Sequence, residues 1–126
     1  MTVIEMAIIF PILLLITIGL IEYGWIFLKY QQVTNAARQG ARVGARPDAT
    51  NTEVDDAIDT IMTAAGISGG DYTVSIAPTD VTTPEPGEPL TVTVTVPYAN
   101  IQLTGGVLVP VPTNLQSAIT MAKEGP

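Results

Sequence analysis

The 126-residue chain contains no cysteine and no histidine. The first absence excludes disulfides, thiolate nucleophiles and cysteine-based metal sites, and leaves the fold to be held by packing. The second removes the commonest general base and metal ligand near neutral pH. Basic residues are scarce too: five against twelve acids, for a formal net charge of −7. Four of the five fall between Lys29 and Arg46, and only Lys123 follows. The C-terminal part therefore offers no basic surface to neutralise phosphates, and nucleic-acid binding is not expected. No spacing of Asp, Glu, Ser or Lys points to a catalytic site, so the sequence reads as a non-enzyme with no cofactor or metal. Asp71, Asp80, Glu85 and Glu88 carry oxygens of the kind calcium takes, but not in the order of a calcium loop.

What the chain has in plenty is apolar residues, 47% of the total, and they are concentrated at one end. Met6 to Ile21 carries no charge; Glu22 interrupts, and Tyr23 to Leu28 resumes the run. As a helix this stretch is about 34 Å long, enough to cross a bilayer core. Tyr23, Trp25 and Tyr30 cluster where an interfacial aromatic belt would lie, with Lys29 just beyond. The opening MTVIE carries no base and continues into a polar helix, unlike a cleaved signal peptide, so a retained helix is expected.

Several residues in this stem call for partners. Glu5 precedes the apolar run; it either rests at the water interface near the helix N-terminus or pairs with a positive group. The nearest candidate for such pairing is the α-amino group at Met1, within a bundle the amine of a neighbouring copy. Pro11 deletes one backbone hydrogen bond, predicting a kink or loosening near residues 7 to 11. Gly19 and Gly24 permit close backbone approach. Glu22 needs a partner or water, and Lys29 or Arg38 of a neighbour would serve.

From Tyr30 to Arg46 the helix turns amphipathic. Arg38, Arg42 and Arg46 recur every four residues on one face, either as a solvated stripe or as inter-subunit charge pairs. Gly40 and Gly44, with neighbouring alanines, form a small-residue face that lets another helix or the chain's own sheet lie close. Pro47 ends the helix. Residues 1–46 are thus one unit, a membrane span in its first part, and residues 47–126 a small head.

The head predicts α+β structure. Thr52 with Asp55, or Thr50 with Glu53, caps a second helix whose Val54, Ile58, Ile61, Met62 and Ala65 form a buried stripe closed by Gly66. Residues 72–76, 90–96 and 115–122 alternate as three strands of an antiparallel sheet on which that helix packs, with Leu90, Val92, Val94 and Val96 facing inward. The Thr-rich stretch from Thr79 to Thr95 is a candidate for O-glycosylation if it is exposed. Val107, Leu108 and Val109, in a Gly/Pro-rich loop, offer either a contact patch or core under the sheet; the second is expected.

Glu5, Pro11, Gly19, Glu22, Gly24, Gln31 and the run NAARQGAR at residues 35–42 together resemble the TadE-like family of tight-adherence (Flp-type) systems, within the type IV pilin superfamily. The resemblance implies a subunit made in the cytoplasmic membrane, processed by a prepilin peptidase and passed by pilus assembly machinery into an extracellular filament of its own copies. In that setting Met1 is the processed amino terminus, unless it is a start residue, and Glu5 lies near a neighbour's amine. TadE-like proteins are usually described as minor pseudopilins, so an anchored minor subunit or assembly factor is the other reading.

Overall fold

The computed structural model describes residues 2–126. The assembly role expected of Met1 falls outside the described residues. Helix α1 runs from Val3 to Gly44 as 42 consecutive residues, unbroken through Pro11, and α2 from Asn51 to Ala64. Strands β1 (Thr73–Ala77), β2 (Pro89–Pro97) and β3 (Asn114–Ala122) form one antiparallel sheet in the order β1-β2-β3, with a short 3-10 turn at Tyr98–Asn100. The fold is α+β: a long helix, a second helix and a three-stranded sheet.

Both helices start on a reciprocal cap. Thr2 Oγ1 accepts from the Glu5 amide and the Glu5 carboxylate accepts from the Thr2 amide; Thr50 and Glu53 repeat the arrangement on α2. Each box satisfies two N–H groups that would otherwise lack helical partners. Of the two expected α2 caps, Thr50 with Glu53 is the one formed.

The helices end on buried lysines. The Lys29 ammonium donates to Ala65 O, 2.7 Å away, at the C-terminus of α2. The Lys123 ammonium donates to Gly44 O at 3.0 Å and to Val81 O at 2.7 Å. Each cation meets the negative end of a helix dipole and occupies carbonyls that have no intrahelical donor. Helix α1 stops at Gly44, two residues before the expected Arg46, because the carbonyls of Gly44 and Ala45 are taken by Lys123 Nζ and the Glu124 amide.

Alternation on β2 turns Leu90, Val92, Val94 and Val96 inward, all fully buried. Against them lie Val54, Ile58 and Met62 of α2 and the small face of α1, Val33, Ala36, Ala37 and Ala41. A Cβ built on Gly40 would stand 2.7 Å from Ile58, and one on Gly44 2.7 Å from Leu90. The close approach that the small residues permit is therefore taken up by the chain's own helix and sheet.

The loop after the 3-10 turn departs from expectation. Val107 is 84% and Leu108 53% exposed, not tucked beneath the sheet. The inner sheet face is already filled by the two helices, and Gly105 and Gly106, both at positive φ, turn the chain outside it. The loop reaches along the stem instead. Val109 lies beside Gly19, where an added Cβ would be 3.3 Å away, and the Tyr23 hydroxyl donates to Pro110 O at 3.0 Å.

Candidate assembly surface

From Val3 to Thr17 every residue of α1 is exposed. Its 18-residue window of highest mean hydropathy reaches 2.6, so the helix is long and apolar enough to cross a membrane. Thr17, the one hydroxyl there, returns its hydrogen bond to Leu13 O at 2.8 Å, which suits a helix surrounded by apolar groups. Soluble monomers rarely expose contiguous apolar patches beyond a few hundred Å². A bare apolar cylinder of this length requires cover from lipid or other chains.

The singled-out residues fall into separate groups. Glu5 is exposed and spends its carboxylate on the Thr2 cap. Pro11 is exposed within the bare segment. Gly24 is exposed, with no atom within 4 Å of a Cβ added there. Gly19, Gly40 and Gly44 are buried against the chain's own loop and head. Arg38 and Arg42 are exposed, whereas Arg46 pairs with Glu53 at 3.0 Å across the α1–α2 connection. Lys29 is committed to the α2 terminus and lies 4.7 Å from the centre of the Trp25 ring, a cation–π contact on one helix face.

Glu22 is the most constrained of them. It is fully buried, and its carboxylate accepts from the Tyr98 hydroxyl, the Thr104 hydroxyl and the Thr104 amide, the last at 3.1 Å. A carboxylate with neither water nor partner would be costly in an apolar stretch; three donors from one loop stabilise it. One residue pair along, Trp25 Nε1 donates to Ile101 O at 2.6 Å. Tyr23, Glu22 and Trp25 thus hold Tyr98 to Pro110 onto the stem. Sequence reasoning identified Glu22 as needing a partner but looked to a neighbouring chain. The signal available was the uncharged loop itself, whose Tyr98 and Thr104 have hydroxyls to donate.

The surface carries little other chemistry. Among the described residues no group of three or more His, Cys, Asp or Glu is arranged to hold a metal ion. The Asp80 carboxylate is occupied by the Thr82 amide at 2.9 Å and Glu88 by the Glu85 amide at 2.9 Å. A shallow acidic cleft beside α2 contains Tyr72, whose hydroxyl donates to Asp59 at 2.9 Å. Burial first, and then the neighbouring Asp59, push the Tyr72 phenol up to about 12.

Residues 1–42 match the family described as TadE-like protein. No curated protein and no solved structure matches the chain.

Proposed function

We propose, from the premise that residues 1–42 are a TadE-like segment, that this chain is a structural subunit of an extracellular Tad-like pilus. The stem is membrane-inserted before assembly and packs with the stems of other copies afterwards. The observation that supports this most is the division of one helix: residues 3–17 are bare and, Glu5 and Thr17 aside, apolar, while one face of Val33 to Gly44 is built into the head's core. Bundling the bare halves would replace lipid with packed side chains, and the rigid remainder would carry the head on the outside. Gly24, open on the stem surface, is the position best suited to close contact with a neighbour.

In this reading the precursor resides in the cytoplasmic membrane, a prepilin peptidase and the pilus machinery act on it, and it performs no catalysis. Glu5 is both a cap residue and the charge available to a neighbour's amine. A minor pseudopilin or anchored assembly factor is the alternative, favoured by the TadE-like match itself. The experiment that separates them is electron microscopy of the sheared extracellular fraction with intact mass of this chain. Thin filaments made mainly of it support the major-subunit reading; a chain that remains with the membrane supports the alternative.

A further inference from the structure

No acidic or basic residue occurs from Pro89 to Ala122, although the head is otherwise strongly acidic. Two acids lie at the far end of α1, Glu53 on Arg46 and Glu124 beside Ala45, while Asp71 lies beside Asn100 of the 3-10 turn. At the near end lies the loop that clasps Gly19 to Trp25, with Leu103, Val107 and Leu108 exposed on it. Glu22, the charge that the loop clasps, is covered by it, and Lys29, one turn beyond Trp25, is spent on Ala65 O.

Length fixes what this apolar tip meets. From Val3 to Ile18 the stem below the loop measures about 24 Å at 1.5 Å per residue, a few ångströms short of the roughly 30 Å of a bilayer's hydrocarbon core, so the loop tip meets the boundary between hydrocarbon and headgroups. With the Thr2–Glu5 cap at one surface, the loop arrives at the other, where Tyr and Trp side chains favour the headgroup level. Val109 packs beside Gly19, just above the bare segment of the stem.

We propose that the tip of this loop, Leu103 to Val109, is a membrane-seating element that lies in the interfacial layer of the bilayer crossed by the stem and sets the height of the head above it. The occupant is lipid, and because the loop has no charge the contact does not need anionic lipid. Glu22 enters that layer with its carboxylate already hydrogen-bonded, so no charge has to be stripped of water by the membrane. The inference rests on the stem being membrane-inserted, and its test reads the two separately.

The absence of native cysteine allows single reporters on the full chain. An environment-sensitive fluorophore is placed at V107C, at I9C in the stem, or at T52C on the exposed start of α2, and each protein is reconstituted at high dilution in phosphatidylcholine vesicles. The expected result is that V107C and I9C lose most of their emission to nitroxide-labelled lipid and resist aqueous iodide, while T52C behaves oppositely. If I9C is lipid-quenched but V107C is quenched by iodide like T52C, the loop proposal is overturned and the membrane-inserted stem stands. If V107C is shielded from iodide yet untouched by lipid nitroxide, and more so at higher protein density, a second copy covers the loop and the proposal is likewise overturned. Iodide quenching of I9C overturns stem insertion and the loop proposal with it.

Discussion

The Tyr98 hydroxyl donates to the buried carboxylate of Glu22, 76 residues earlier in the chain, and so ties the end of β2 to the middle of the stem. The bond closes over the only charge between Met6 and Leu28. Removing the donor leaves a buried carboxylate short of a partner. Tyr98→Phe is expected to destabilise the head by about 2 kcal/mol, seen as a lower melting temperature in detergent by near-UV circular dichroism. Adding Glu22→Gln to Tyr98→Phe should cost less than the sum of the two single changes, because both act on one network. Additive losses would show that the pair is not coupled.

The two kinds of glycine on α1 predict opposite behaviour. At Gly44 a methyl group meets Leu90 at 2.7 Å, so Gly44→Ala should lose about 1–3 kcal/mol through overpacking, and Gly44→Leu should unfold the head while the stem still inserts. Gly24 has open space, so Gly24→Ala should leave melting unchanged or raise it, as alanine favours helix by about 1 kcal/mol. Loss of filaments from Gly24→Ala without loss of melting temperature would locate a neighbour there. Melting that falls equally for both variants would contradict the difference in surroundings.

Lys123 is the head's only base after Arg46 and is nearly fully buried on two carbonyls. Lys123→Met is expected to cost about 1–3 kcal/mol by leaving those acceptors unpaired, whereas Arg38→Ala on the exposed stripe should change stability by under about 0.5 kcal/mol. Thermal melts of the two variants decide it.

Acid should loosen the head for an identifiable reason. The Thr50 amide, above all, holds the Glu53 carboxyl below its usual range, and the Thr82 amide does the same for Asp80. Each depressed value contributes stability that is present above the ordinary carboxylate range and is lost as pH falls through the folded-state value. Melting temperature is therefore expected to fall below about pH 4 to 5, and Glu53→Gln with Asp80→Asn should flatten that fall. An unchanged slope in the double variant would assign acid sensitivity elsewhere.

Glu5 serves the Thr2 cap whether or not it has a second role. Glutamine maintains a capping box but carries no charge. Glu5→Gln should therefore insert normally, keep its helix content, and fail to assemble. Normal filaments from Glu5→Gln would reduce Glu5 to a cap.

Local chemistry made much of this fold legible in the sequence. Strict alternation from Leu90 to Val96 defined the central strand and its inward face, and Thr50 with Glu53 marked the start of α2 because the cap lies within four residues. Long-range choices were not legible. Gly40 and Gly44 announce close packing but not what packs, and the partner is the chain's own α2 and β2. The burial of Glu22 and Lys123 depends on hydrogen bonds to residues 76 to 82 and 42 to 79 positions away, which no local pattern encodes. Val107 lies outside the core because the helices had already filled it.

The central claim is that the bare halves of α1 pack against one another in a filament. Since the chain has no cysteine, a disulfide between single L13C copies can form only where two stems meet. The sheared extracellular fraction of the L13C variant is oxidised and run without reductant. The account predicts filaments containing covalent dimers of this chain, absent from a T52C control on the head. Filaments that contain the chain only as monomer, or a chain confined to the membrane pellet, would contradict it.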